Sequence, residues 1–149
     1  MRNVVTLSAI LKHKGASVWA IGPEATVFQA IELMAEKNVG ALMVMEADKP
    51  VGIISERDYT RKVALKGRSS KDTKVREILS GSLISATPHH TVEDSMRLMT
   101  EHKVRHLPVL EEGKLIGIVS IGDLVNWIIS VQDVTINHLE SYISGKYPG

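Results

Sequence analysis

Two hydrophobic periodicities alternate along the first half of the chain. Thr26 is a residue type that caps helices, and the residues after it are apolar at the spacing of one helix face: Val27, Ala30, Ile31 and Met34. The next apolar run, Val39 to Met45, is short and rich in strand formers. Residues 46–50 have a turn composition, and a second short apolar run, Val51 to Ile54, follows them. The pattern predicts an amphipathic helix followed by a β-hairpin.

The same pattern returns 65 residues later. Residues 23–58 align without a gap on residues 88–123, and 15 of the 36 aligned positions are identical. Two copies of such a unit predict a pseudo-dimer within one chain, because neither copy is large enough to bury its apolar face well alone.

Each copy has further elements at its two ends. Short strands are predicted upstream, at Ser17 to Ile21 and at Leu83 to Ala86, and a second helix is predicted to open at Ser55 and at Ser120. The order in each unit is β-α-β-β-α. The predicted fold class is therefore α/β (α+β), with two pseudo-symmetric units packed through their sheets.

Segments outside the repeat complete the predicted organisation. Leu7 to Lys12 is predicted as a short helix ended by Gly15, and Asp133 to Ser144 as a C-terminal amphipathic helix. Lys62 to Arg76 is basic and is predicted to be a solvated linker that includes the end of a helix. The predicted divisions are an N-terminal segment, the first unit, a linker, the second unit and a C-terminal helix with its tail: 1–14, 15–66, 67–79, 80–130 and 131–149.

Composition narrows the function classes. The chain has 149 residues and a formal net charge of +1, so its overall charge does not recruit nucleic acid. It has no cysteine, which excludes disulfides, thiolate metal sites and cysteine nucleophiles. Residues 1–10 lack the apolar core of a secretory signal, and no apolar run is long enough to span a bilayer. We expect a cytoplasmic protein that contacts neither nucleic acid nor membrane.

One polar motif is common to both copies. Gly-apolar-apolar-Ser-x-x-Asp stands at Gly52 to Asp58 and again at Gly117 to Asp123. Ser as N-cap and Asp in the first helical turn are explained by helix capping alone. The same geometry suits a nucleotide, because a helix N-terminus after a strand attracts phosphate and an acidic residue accepts ribose hydroxyls. Arg57, in the same turn, is able to pair with phosphate.

The chain resembles a pair of cystathionine-β-synthase (CBS) domains, the arrangement called a Bateman module. The features that carry the resemblance are the two motifs in one register, the Thr-Val helix starts and the segment Val104 to Val109. The resemblance covers Lys14 to Ile129. Within the family, the chain looks like the small stand-alone CBS-pair proteins of bacteria and plant organelles. It implies two clefts between the units that bind adenosyl ligands such as AMP, ATP, NAD(H) or S-adenosylmethionine.

The resemblance also implies ligand-binding residues. The carboxylates for ribose fall on Asp58 and Asp123, and the hydroxyl positions on Ser55 and Ser120. The adenine-lining segment of each cleft comes from the opposite unit, so that Leu83 and Ile84 work with Asp58, whereas Ser17, Val18 and Trp19 work with Asp123. The phosphate-facing positions and the remaining contacts fall on Lys14, Arg57, Arg105, His106, Pro108 and Gly122.

The two predicted clefts differ in sequence. Arg57 precedes the first Asp, whereas Gly122 precedes the second, and Gly40-Ala41 of the first unit becomes Arg105-His106 in the second. We therefore expect different ligands or affinities at the two sites. Trp19 has two interpretations, stacking on adenine or filling the interface between the units.

Three function classes compete. The favoured one is a nucleotide-sensing regulatory module, an energy or redox sensor that acts on another protein; the resemblance implies a homodimer, with a thioredoxin-like protein as one candidate effector. The alternatives are a ligand-independent adaptor and an enzyme, but the shared motif contains no nucleophile–base pair. His102 and His106 have the spacing of a helical metal pair, yet the repeat puts His106 beside a strand, so we expect no metal site and no catalytic residue.

Overall fold

The computed structural model describes residues 5–15, 17–79 and 82–130. In the first unit a short strand lies parallel to a β-hairpin, pairing Ala20 with Met43, and the hairpin strands pair Met43 with Ile53. A helix precedes the hairpin and another follows it. The elements are β1 (Ala20–Ile21), α2 (Val27–Lys37), β2 (Ala41–Glu46), β3 (Lys49–Ser55) and α3 (Glu56–Tyr59), which widens into a π-helical turn at Thr60–Ala64.

The second unit repeats this arrangement. Its hairpin pairs Pro108 with Ile118, the same register as Met43 with Ile53 one repeat earlier, and a register shift follows one residue later in both hairpins. The elements are α5 (Val92–His102), β4 (His106–Glu111), β5 (Lys114–Ser120) and α6 (121–130).

Matched local signals begin and end the long helices α2 and α5. Thr26 and Thr91 each accept a hydrogen bond from the backbone of the third helical residue, whose side chain accepts one from the threonine N–H in return. Both helices end at a residue in the left-handed conformation, Asn38 and Lys103, each with φ of 54°. The structure confirms the predicted helices that begin after Thr26, Ser55 and Ser120. It also confirms the two predicted hairpins.

Two short helices are exchanged between the units. α1 (Leu7–Lys14) precedes the first unit but docks on the second, where Leu7 N–H donates to His90 O at 2.9 Å. α4 (Val75–Ile78) precedes the second unit but docks on the first, where Val75 N–H donates to Ala25 O at 2.8 Å. α1 therefore closes the core of the unit that is distant from it in sequence, whereas α4 closes the core of the unit that it follows in the chain.

The two cores are separate. One gathers the buried side chains of α2, the first hairpin, Val63 and α4, and the other gathers those of α1, α5 and the second hairpin. Strands β3 and β5 contact each other where the units meet. The predicted fold class, α/β (α+β) with two pseudo-symmetric units, is confirmed, and each unit contains a small sheet.

The predicted upstream strands are shorter than expected. In the first unit only Ala20 and Ile21 are strand, and in the second unit Ala86 forms a single bridge to Val109. The loss of the strand in the second unit has its reason in the hairpin partner. Met43 N–H donates to Trp19 O at 3.0 Å, but the matching residue of the second hairpin is Pro108, which has no N–H.

The solvated linker predicted at Lys62 to Arg76 is wrong in part. Val63 and Val75 are fully buried and Thr73 is 2% exposed, because Thr73 and Val75 exchange backbone hydrogen bonds with residues 25–27 and Val75 fills the first core. Gly15 ends α1 with φ of 92°, as predicted. The C-terminal helix predicted at residues 133–144 lies outside the described residues, and the unit boundaries remain predictions.

Each exchanged helix approaches its hairpin at a glycine. A Cβ atom at Gly117 would lie 2.6 Å from Leu11 Cδ2, and one at Gly52 would lie 3.0 Å from Leu79 Cδ2. Leu11 is itself buried in the second core, so it has little room to move. The absence of a side chain at these two positions allows the helices to dock.

We expect Gly117→Ala to lower the free energy of unfolding by about 1–3 kcal/mol, because the new methyl group overlaps a packed leucine. Urea denaturation at 25 °C measures the change. Gly22→Ala is the matched control: Gly22 is exposed, nothing lies within 4 Å of the added Cβ, and we expect a change within about 0.5 kcal/mol. If adding Leu11→Ala to Gly117→Ala gives a loss equal to the sum of the single losses, this contact is not the cause.

Candidate functional site

A cleft of about 490 Å³ opens between the two units, and we call it the first cleft. One wall is the end of β3 with the start of α3, and the other comes from residues 82–84 and 102–106 of the second half. Seven of the residues predicted to bind ligand line it: Ser55, Arg57, Asp58, Leu83, Ile84, Arg105 and His106.

The helix start at Ser55 orients the Asp58 carboxylate. Ser55 N–H and Ser55 Oγ both donate to Asp58 Oδ2, at 2.9 and 3.0 Å, and Asp58 N–H donates to Ser55 Oγ at 3.2 Å. Lys62 Nζ lies 3.4 Å from the other carboxylate oxygen, Oδ1. Capping, the simpler interpretation of this motif, is therefore present, and it holds the carboxylate at the cleft in one orientation.

The opposite wall contains backbone outside any helix or strand. Leu83 and Ile84 are partly buried and lie in a segment without regular structure. Such a segment does not use its amide groups in a sheet ladder, and its two aliphatic side chains give this wall an apolar surface.

Positive charge dominates the lining of the first cleft. Two carboxylates line it, Glu56 and Asp58, against five cationic side chains: Arg57, Arg61, Lys62, Lys103 and Arg105. Lys62 pairs with Asp58, whereas within residues 5–15, 17–79 and 82–130 the other four cations have no carboxylate at ion-pair distance. The cleft therefore presents uncompensated positive charge, which suits an anionic ligand.

His106 lies where the first cleft approaches the second motif. Its Cε1 and Nε2 atoms would be 3.9 Å from a Cβ at Gly40. Burial lowers the pKa of His106, and the nearby positive charges of Lys14 and Arg105 lower it further, against the opposing effects of Asp123 and Glu56. The imidazole therefore favours its neutral form, between charges that belong to both motifs.

The second motif reproduces the cap of the first; we call the surroundings of Ser120 and Asp123 the second site. Ser120 N–H donates to Asp123 Oδ2 at 2.8 Å, and Asp123 N–H donates to Ser120 Oγ at 3.0 Å. Here, however, Lys14 Nζ also donates to Asp123 Oδ2 at 2.6 Å and to Ile118 O at 2.9 Å. Burial opposes ionisation of Asp123, but the Lys14 and Ser120 hydrogen bonds outweigh it and lower the pKa.

The remaining predicted residues lie apart from the first cleft. Ser17, Val18 and Trp19 precede β1, and Gly122 lies in the first turn of α6. Trp19 is 42% exposed with Lys37 Nζ 4.4 Å from its ring centroid, so it does not fill the interface between the units. Pro108 was predicted as a contact, but it is buried within β4 and does not line the first cleft.

Sequence reasoning missed several lining residues. Arg61 and Lys62 follow Asp58 at helical spacing, a signal that would have placed them on the face of α3 that bears Asp58. Gly52, Ile53 and Glu56 lie within the motif shared by both copies, but they were not predicted as contacts. Folding alone brings the remaining lining residues to the cleft; they are Gly40, Val51, Leu79, Ser82, His102, Lys103 and Val104.

Two further expectations concern metal binding by histidines and contact with a membrane. His102 ends α5 and His106 begins β4, so the pair does not share a helical face. Among the described residues, no group of three or more His, Cys, Asp or Glu side chains has an arrangement that could hold a metal ion. No helix in the described ranges is both long and apolar enough to cross a membrane.

The lowered pKa of His106 has a consequence for stability. The unfolded chain binds a proton at this histidine more readily than the folded chain, so stability is lost as pH falls from about 7 through the unfolded value of about 6.5. We expect His106→Gln to flatten this part of the profile of melting temperature between pH 7.5 and 5.5. His89→Gln, which removes an exposed imidazole, is the control; an equal flattening there would contradict the assignment to His106.

Comparison with known proteins agrees with this architecture. The family model of the CBS domain matches residues 16–65 and 75–130. The mitochondrial CBS domain-containing protein CBSX3 of Arabidopsis thaliana is 41% identical to the chain, over 95% of the chain and 73% of that protein.

Solved structures extend the comparison. A putative signal-transduction protein with CBS domains from Burkholderia ambifaria is 47% identical with a TM-score of 0.82, covering 86% of this chain and 96% of that one. The CBS domain protein PAE2072 from Pyrobaculum aerophilum, whose structure is a complex with AMP, is 26% identical with a TM-score of 0.70, covering 80% and 89% of the two chains. The repeated units, the two capped Ser-x-x-Asp motifs and these matches together show that the chain belongs to the CBS domain family as a tandem CBS pair.

Proposed function

We propose that this protein is a regulatory module that binds an adenine nucleotide in the first cleft and transmits the bound state to another protein. The observation that carries the proposal is the presence of an oriented carboxylate, Asp58, in a cleft whose five cationic side chains outnumber its two carboxylates. A ribose diol donates hydrogen bonds to a carboxylate, and phosphate oxygens accept them from arginine and lysine.

The lining suggests how a nucleotide would lie. The ribose meets Asp58 through Oδ1, because Oδ2 already accepts two hydrogen bonds from Ser55. The phosphates lie toward Arg57 and Arg105, and the base lies against Leu83 and Ile84 on the opposite wall. The AMP complex of the related Pyrobaculum protein supports an adenosyl ligand, and AMP, ATP and NAD(H) are the candidates.

A regulatory role fits the relatives better than a catalytic one. The Burkholderia neighbour is named as a signal-transduction protein, and we propose that this chain is not an enzyme. It would act as an energy or redox sensor on an effector in another chain, for which a thioredoxin-like protein is one candidate. The competing proposal is an adaptor whose partner binding does not depend on a ligand.

Calorimetry and thermal shift with AMP, ADP, ATP, NAD and NADH test the ligand. At 100 times its dissociation constant a ligand stabilises the folded state by about 2.7 kcal/mol, which raises the melting temperature by several degrees. We expect this shift in the unmodified protein and its loss in Asp58→Ala.

Asp94→Ala is the matched control, because Asp94 has the same capping role at Thr91 and lies outside the first cleft. Both variants lose the carboxylate half of a capping box, at a cost of up to about 1 kcal/mol, but only Asp58→Ala loses the ligand shift. A shift that survives in Asp58→Ala contradicts the ribose assignment. If none of these nucleotides raises the melting temperature of folded, nucleotide-free protein, the adaptor is the better account.

We also propose a homodimer that forms through α6. Val125 and Ile129, one turn apart on this helix, are 38% and 50% exposed, which gives it an apolar outer face. We expect Val125→Glu with Ile129→Glu to convert the dimer to a monomer in light scattering. Leu65→Glu is the control, because Leu65 is 76% exposed outside α6 and its replacement should leave the mass unchanged. A monomeric unmodified protein at micromolar concentration would contradict the proposal.

A further inference from the structure

One ammonium group joins the first cleft to α4. Lys62 Nζ donates to Ile78 O at 2.9 Å, and it lies 3.4 Å from Asp58 Oδ1. Ile78 is the last residue of α4, whereas Asp58 carries the carboxylate that the helix cap orients at the cleft. The side chains of Lys62 and Asp58 are 33% and 27% exposed, so water screens their contact only in part. Lys62 therefore contacts the candidate binding site and the end of α4 at the same time.

α4 depends on such a contact because it is short and has no local C-cap. It has four residues, too few to be stable alone, and the residue after it, Leu79, is extended with φ of −69° and ψ of 133°. The long helices α2 and α5 instead end at left-handed residues, whose N–H groups donate back to helix carbonyls. At the end of α4 it is Lys62 that donates to the last carbonyl.

Two backbone hydrogen bonds define the docked position of α4. Val75 N–H donates to Ala25 O at 2.8 Å, and Arg76 N–H donates to Pro23 O at 3.0 Å. Neither Val75 nor Arg76 lines the first cleft. Exchange of these two amide protons therefore reports on the docking of α4 without direct contact from a ligand in the cleft.

α4 also leads into the opposite wall of the first cleft. Leu79 follows it directly, lines the cleft and packs on Gly52, and Leu83 and Ile84 stand only a few residues further along the chain. The position of α4 thus bears on the place where this wall begins. Its docked and undocked states are the two arrangements that a ligand is able to bias.

The shared ammonium sets the sign of the coupling. An ammonium has three N–H donors, and Ile78 O accepts from one of them in Lys62. A phosphate in the first cleft adds an anion near Lys62, which lines it. Ordering a lysine side chain costs conformational entropy, and a ligand that orders Lys62 removes this cost from the contact with α4. Ligand binding and the docking of α4 therefore favour each other.

We propose that Lys62 is a positioning residue that couples occupancy of the first cleft to the docking of α4, because an anionic ligand and the last carbonyl of α4 share its ammonium. The inference rests on the proposed function, since it requires a nucleotide in the first cleft. It adds the element of the fold that responds to the ligand. Coupling free energies are reciprocal, so loosening α4 weakens the ligand through the same lysine.

Amide hydrogen exchange measured by NMR on the full chain tests the coupling. We expect saturating AMP to slow the exchange of the Val75 and Arg76 amides about threefold to tenfold more than that of Met43. The Met43 amide donates to Trp19 O in the same unit, outside the first cleft, and corrects for general stabilisation by the ligand. If AMP does not bind, whichever of ADP, ATP, NAD and NADH binds takes its place.

Variants of Lys62 separate the coupling from a purely structural role. Lys62→Met keeps most of the side-chain length but has no donor; AMP binds it more weakly, and at saturation we expect the additional slowing to be lost. Lys62→Arg should restore the slowing, because it retains the charge and the donors. Lys66→Met is the matched control, because it removes an exposed cation four residues further along, outside the first cleft, and should leave the slowing unchanged.

A variant at the other end of α4 tests the reciprocal effect. Glu77 accepts a hydrogen bond at 2.7 Å from Lys74 N–H, which caps the start of α4, and it does not line the first cleft. In calorimetry we expect Glu77→Ala to weaken AMP binding about threefold, although the loss of a negative charge alone would strengthen it. In the Lys62→Met background Glu77→Ala should no longer weaken binding.

The outcomes separate this inference from the proposed function. If the unmodified protein binds none of the five nucleotides, the proposed function fails. If a nucleotide binds through Asp58, but the Val75 and Arg76 amides slow no more than Met43, or slow equally in Lys62→Met, only the coupling through Lys62 is overturned. A complete loss of nucleotide binding in Lys62→Met also overturns it, since Lys62 would then be a binding residue and not a link to α4.

Discussion

The close approach of a leucine to a glycine, once in each unit, is the contact on which the rest of the structure depends. A two- or three-stranded sheet of this size cannot cover its own apolar face, and the long helices α2 and α5 cover only part of it. Leu79 over Gly52 and Leu11 over Gly117 bring a third element onto each hairpin. Because each of these helices comes from the chain segment before the other unit, the two halves are tied together and the cleft between them has a defined shape.

Capping and the candidate binding site are the same structural feature in this protein. Ser55 and Ser120 begin helices, and the reciprocal hydrogen bonds that stabilise those starts also orient Asp58 and Asp123. Substitution of either aspartate therefore affects stability as well as any ligand, and only a comparison with a cap outside the cleft separates the two effects. The structure has such a cap at Thr91 and Asp94.

The asymmetry of the two motifs comes from tertiary structure more than from the motifs. Sequence comparison located differences at Arg57 against Gly122 and at Gly40 against Arg105. The larger difference is the additional turn of α1, which carries Lys14 to Asp123 while α4 stops short of Asp58. Lys14 was expected to face phosphate, but in the folded chain it donates a hydrogen bond to the carboxylate of Asp123. His106, whose pKa is lowered by burial, lies near charges of both motifs, Glu56 and Asp123.

The sequence by itself determined the repeat, the helix starts, the two hairpins and most of one wall of the first cleft. These features follow from local rules: the spacing of apolar residues, the preference of Ser and Thr for helix N-termini, and the turn composition between strands. It also determined the pairing of Asp58 with Leu83 and Ile84, through the resemblance to paired CBS domains. Only the tertiary structure decided which unit each short helix covers, that Thr73 and Val75 are core rather than linker, and that Lys14 reaches Asp123. Those contacts join residues up to 109 positions apart, and they depend on the packing of whole units, which no local pattern of residues encodes.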